Sequence, residues 1–108
     1  MYKGYGIARA RVSQGRFDDF LQRRAQARKI RRFCETRQIS LIMKTPFFYS
    51  FETETVSAMS LWRMGWIDFV VITSRDCIEG IIDEAIREAL FELDAKNSLL
   101  ILDEMRFF

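Results

Sequence analysis

The sequence predicts an α+β domain: an antiparallel or mixed sheet of about four to five strands, covered by an amphipathic helix over about 76–95, with a basic helix over about 16–37 at its N-terminal end. Three observations carry this. Residues 16–37 contain neither Gly nor Pro and are rich in Arg, with Ala, Gln and Leu besides, all good helix formers. Residues 66–73, Trp-Ile-Asp-Phe-Val-Val-Ile-Thr, have the aromatic and β-branched composition of a central strand. Ile78, Ile81, Ile82, Ala85, Ile86, Ala89, Leu90 and Leu93 fall on one helical face, opposite Asp83, Glu84, Arg87 and Glu88.

Taken in order, residues 5–12 alternate small or apolar with basic side chains, which suggests an edge strand or an extended arm within residues 1–15. Ser13-Gln14-Gly15 punctuates the chain, so Ser13 or Gly15 stands at the start of the basic helix. Asp18 and Asp19 follow in its first turn, where the helix dipole favours acids. The apolar residues of that helix change face. Phe17, Phe20 and Leu21 cluster on one side and Ala27, Ile30, Phe33 and Cys34 on another, while Arg24, Arg28 and Arg31 continue the first line. Either the helix bends or its halves pack against different bodies, a second chain being one.

Residues 39–44 read as a strand, and Thr45-Pro46 as a turn. Tyr49, Phe51, Thr53 and Thr55 alternate with polar residues, so 49–56 is predicted as a strand. Residues 57–64 fit either a short helix or a hairpin. Asp76-Cys77-Ile78-Glu79 resembles a capping box opening the amphipathic helix. Residues 99–102 form a last strand. The whole chain, 1–108, reads as a single domain of 108 residues, with 38–108 as its α+β body.

Hydrophobic content of 49% with ten Phe excludes a disordered chain of the low-hydrophobicity kind. No apolar run approaches the length of a membrane span, and the N-terminus lacks the apolar stretch of a secretory signal. An acid-poor start also fits an organellar transit peptide, against which the alternating placement of Arg9 and Arg11 argues. Cys34 and Cys77 are the only cysteines and His is absent, a poor set for a four-ligand zinc site. The expectation is a soluble, cytoplasmic domain with buried free thiols, no metal and no cofactor.

Charge is the strongest functional signal. Residues 1–44 hold twelve of the seventeen Lys and Arg and carry a formal +9, and residues 45–108 hold twelve of the fifteen Asp and Glu and carry −7. Arg23, Arg24, Arg28, Lys29, Arg31, Arg32 and Arg37 lie within fifteen positions, and Arg9 and Arg11 extend the footprint. A basic face of this density attracts a polyanion, since arginines at helical spacing reach successive phosphates. No helix-turn-helix, zinc-finger or RNP-type signature accompanies it, so contact with phosphates is expected and base readout is not. Two other readings stay open. The arginines pair with Asp83, Glu84 and Glu88 inside the monomer or across a homodimer, or they meet an acidic protein surface.

Weaker signals concern bases and metals. Phe47, Phe48, Tyr49 and Phe51 would stack bases if exposed on a strand. Glu52 and Glu54 with Asp68 would share a divalent ion, as in a metal-dependent nuclease, if strands brought them together. The terminal Phe107-Phe108 is expected to dock on the core or on a partner. Without His, Walker loop or nucleophile elbow, the sequence favours a non-enzymatic protein engaging nucleic acid or a nucleoprotein complex. The alternative is a small inhibitor or immunity protein of phage or mobile-element type, whose acidic face at Asp83, Glu84 and Glu88 would occupy an enzyme's charged groove.

Overall fold

In the computed structural model, which describes residues 1–10, 15–44 and 49–105, the elements are β1 (Lys3–Gly6), α1 (Arg16–Thr36), β2 (Ser40–Ile42), α2 (Phe51–Arg63), β3 (Phe69–Ile72), α3 (Glu84–Ala95) and β4 (Leu99–Ile101). The four strands form one sheet in the order β2-β1-β3-β4, and every pair is parallel. This corrects the expected antiparallel or mixed sheet. Each of β1, β2 and β3 is followed by a helix that returns the chain to the same edge, and such crossovers force parallel pairing. β1 is therefore an interior strand, with Tyr5 opposite Ile42 on one side and Val70 on the other, rather than an edge.

The strand expected over 49–56 is helical. Ser50 caps α2, its Oγ accepting from the Thr53 N–H at 3.1 Å. Phe51, Glu54, Thr55, Ala58 and Met59 then turn inward at helical spacing. The amphipathic helix also begins later than expected. Residues Arg75–Ile78 make a single 3₁₀ turn, Gly80 adopts φ 72°, and α3 starts only after Asp83, whose Oδ1 accepts from the Ile86 N–H at 3.2 Å. A consequence is that Ile82, expected on the buried face, is 92% exposed.

The chain leaves β1 toward β2 in one direction and later moves the other way, through β3 to β4. A uniform hand of crossover then puts α1 on one face of the sheet and α2 and α3 on the other. The larger core joins α2 and α3 to Tyr5, Ile7, Val70, Ile72, Leu99 and Ile101; the smaller joins Ile30 and Cys34 of α1 to Val71. Gly4 and Gly6 alternate with Tyr5 and Ile7; the bare face of Gly4 lies against Ile39, and that of Gly6 lies under α1. A Cβ on Gly6 would stand 2.9 Å from Met43 Sδ and 3.0 Å from Ile30 Cγ2. Close seating of α1 needs glycine there.

Candidate functional site

A parallel sheet whose strand order reverses has a crevice at the carboxyl ends of the two strands flanking the reversal, here β1 and β3. Residues from four segments meet there. The chain leaving β1 is held at Arg9, whose N–H donates to Gln26 Oε1 at 2.9 Å and whose carbonyl accepts from Gln26 Nε2 at 2.7 Å. The Arg9 guanidinium donates to the carbonyls of Cys77, at 3.1 Å, and Glu79, at 2.6 Å, and lies 5.8 Å from the Phe51 ring centroid. Arg9 is thus built into the fold and ties the end of β1 to the turn after β3. Cys77, buried, points its thiol toward Gln26 Oε1 at 3.6 Å and Thr73 Oγ1 at 3.5 Å.

Two further polar groups are buried beside this edge. Arg23 of α1 donates through Nη2 to the Tyr49 carbonyl at 2.6 Å and faces Asp19 at 3.7 Å. Below it, the Tyr5 hydroxyl donates to Glu54 Oε2 within the core. Burial, then the hydrogen bond to Glu54, pushes the Tyr5 phenol well above its ordinary range, so it stays a neutral donor.

The remaining basic residues divide by helix phase. The stripe of α1 seated on the sheet is Arg23, Ala27, Ile30 and Cys34. Arg24, Arg28, Arg31 and Arg32 point to solvent, and Lys29 is exposed on another side. Arg24, Arg28, Lys29 and Arg32 have no acidic partner among the described residues. Arg37 lies 5.3 Å from the Phe33 ring centroid. Arg11, Phe47, Phe48, Phe107 and Phe108, named above, lie outside the described residues. Asp83 is spent as a cap, whereas Glu84 and Glu88 are exposed on α3, across the sheet from the arginines.

Phe51 is in the core while Tyr49 is exposed, 5.3 Å from Lys44 Nζ, so the described aromatics of this segment do not form a stacking row. Glu54 faces Tyr5, and Asp68 accepts from the Lys3 N–H at the opposite, amino edge of the sheet. No cluster of three metal-ligating side chains occurs among the described residues. Nor is any helix among them long and apolar enough to cross a membrane.

No family model and no curated protein matches the chain. Its fold does match a solved structure, the C-terminal catalytic domain of ISC1926 TnpA, an IS607-like serine recombinase, with a TM-score of 0.60 over 92% of this chain and 67% of that one, at 14% sequence identity. The class this defines is a parallel-sheet domain of the architecture used by that catalytic domain. The match overturns the expectation of a non-enzymatic protein, because the same arrangement of sheet and helices houses catalysis in the neighbour. Sequence reasoning missed Gln26 and Tyr5, and it gave Glu54 a metal-binding role where the structure sets it against Tyr5. The one signal available was the Gly4-Tyr5-Gly6 alternation, which marks a strand closely covered on one face.

Proposed function

We propose that the domain acts on DNA as a strand-cleaving and strand-joining enzyme with a serine nucleophile. The observation that carries this reading is the likeness to a serine-recombinase catalytic domain in a chain that also presents a solvent-facing row of arginines on α1. A nucleophile in such a sheet belongs at its carboxyl edge, near the strand reversal. Three serines lie in sequence between a strand and the helix that follows it: Ser13, Ser50 and Ser74. Ser50 is consumed as the α2 cap. Ser74 precedes the 3₁₀ turn, with its Oγ 3.9 Å from Cys77 Sγ. Ser13 follows β1 by a few residues, among Arg9, Arg11 and Arg16, and is the assigned nucleophile; it lies outside the described residues.

In the proposed reaction, Ser13 Oγ bonds to a backbone phosphorus while the bond from that phosphorus to a sugar oxygen breaks. The serine proton ends on the sugar oxygen. The phosphodiester energy is kept in the phosphoserine ester, so attack by a sugar hydroxyl rejoins the strand without a cofactor. Arginines near Ser13 offset charge on the phosphoryl oxygens. Arg24, Arg28, Arg31 and Arg32 supply affinity for the duplex backbone without choosing sequence.

The test is to incubate the protein with supercoiled plasmid and with labelled duplexes of randomised sequence, then look for protein–DNA adducts stable to detergent. The wild type and Ser74→Ala should form an adduct whose phosphopeptide contains Ser13, and Ser13→Ala should not, while binding duplex DNA normally by fluorescence anisotropy. An adduct that survives Ser13→Ala, or DNA binding without any adduct, refutes the assignment.

A further inference from the structure

The outer faces of α1 and α3 cannot meet within one molecule, because the two helices lie on opposite faces of the sheet. Their outer faces are nevertheless complementary. Along α1, exposed Phe17 (74%) and Leu21 (43%) come first, and Arg24, Arg28 and Arg31 continue the same face. Along α3, Glu84 and Glu88 come first and Phe91, 75% exposed, lies one turn beyond. A shallow groove is lined by Glu84, Arg87, Glu88 and Phe91. Neither glutamate has an ion-pair partner among the described residues. Large apolar side chains this exposed, set beside charged ones, mark an interaction surface.

We infer that the outer face of α1 in one copy of this chain seats antiparallel on the outer face of α3 in another. In that orientation Phe91 meets Phe17 and Leu21, Glu88 faces Arg24 and Glu84 faces Arg28. The spacing agrees. At about 1.5 Å per residue, the apolar and basic centres of α1 are roughly 10 Å apart, and Phe91 stands about 8 Å from the midpoint of the two glutamates. The partner is a second copy because the complementary face is present in this chain and faces away from the first. The contact joins two different surfaces, so it is heterologous: a bound pair still offers one free α1 and one free α3, and association does not stop at a dimer unless a ring closes. Duplex DNA and a second copy then compete for Arg24 and Arg28. The inference does not rest on the serine assignment.

Sedimentation velocity over a concentration series, at low and at near-physiological salt, tests it. The wild type should form species larger than a dimer as concentration rises, with loss of association in salt. Arg24→Glu/Arg28→Glu and, separately, Glu84→Lys/Glu88→Lys should each remain monomeric with unchanged circular dichroism. Mixed in equal amounts, the two should associate again, since the reversed α1 of one fits the reversed α3 of the other. Phe91→Ser should weaken association at least tenfold without altering net charge. A wild type that stays monomeric at low salt overturns the inference, leaving these faces to nucleic acid or another protein. So does a closed dimer that survives the glutamate reversals, or a mixture that fails to associate.

Discussion

Gln26 grips the backbone of Arg9 at two points, accepting from its N–H at 2.9 Å and donating to its carbonyl at 2.7 Å. Strand pairing of this kind, made by a side chain, fixes where β1 ends relative to α1. Under the serine reading it also fixes the approach of the chain toward Ser13, four residues on. Preorganisation of that sort affects the chemical step more than affinity. Gln26→Ala should reduce adduct formation by roughly tenfold or more, while duplex affinity, measured by anisotropy, changes less than about twofold. Its stability cost should be about 1–3 kcal/mol, the usual result of leaving partly buried backbone groups unpaired, read from urea denaturation.

Tyr5 and Glu54 form the other decisive pair. Tyr5→Phe leaves the buried carboxylate without its donor and should cost roughly 2–4 kcal/mol. Adding Glu54→Leu should recover most of the loss, because a pair replaced on both sides leaves no orphan. A double variant as unstable as the single one would show that the pair matters only through packing.

The same pair sets a pH dependence. The Tyr5 phenol is raised in the folded state, chiefly by burial, whereas an unfolded tyrosine ionises near pH 10. The unfolded chain therefore loses its proton first. The contribution is fully present below about pH 10 and declines as pH rises beyond it. Urea midpoints between pH 8 and 11 should fall more steeply for the wild type than for Tyr5→Phe/Glu54→Leu.

The helices and strands were only partly legible in the sequence, and one misreading explains the wrong sheet. Thr53 and Thr55 have strand-like side chains and alternate with glutamates, yet Ser50 caps a helix there and the Thr55 hydroxyl donates to the Phe51 carbonyl at 2.9 Å. Reading that segment as a strand removed the crossover between β2 and β3, and without it the neighbours appear antiparallel. Asp76 and Glu79 imitated a cap that Asp83 provides, since extended backbone at Glu79 and Asp83 and the positive φ of Gly80 separate the 3₁₀ turn from α3. The arginine row was visible from composition. What was not visible is the helix phase, which buries Arg23 and leaves Arg24 and Arg28 outside. Gln26 carries no signature, because its role exists only once β1 and α1 are side by side.

Gly6 controls how closely α1 approaches the sheet. In Gly6→Ala the new methyl meets Met43 Sδ at 2.9 Å, which a flexible side chain can yield, and Ile30 Cγ2 at 3.0 Å, which a β-branched one yields less readily. Overpacking should cost about 1–3 kcal/mol. Gly6→Val should cost more, and Ile30→Ala should partly relieve it. Thermal denaturation decides, and Gly6→Ala melting within about 1 °C of the wild type would remove the close-approach argument.

The arginine row makes a prediction that separates phosphate binding from base readout. If Arg24, Arg28 and Arg32 each neutralise one phosphate, every Arg→Gln substitution should lower the slope of log affinity against log salt by about one, equally for unrelated duplex sequences. Arg23→Gln should behave otherwise. Arg23 is 8% exposed and bonded to the Tyr49 carbonyl, so its loss should lower stability while leaving the salt slope unchanged. Anisotropy titrations from low salt to near 200 mM on two unrelated duplexes supply the comparison. A slope that falls for Arg23 and not for Arg24 or Arg28 would move the nucleic-acid contact from the solvent face of α1 to the carboxyl edge of the sheet.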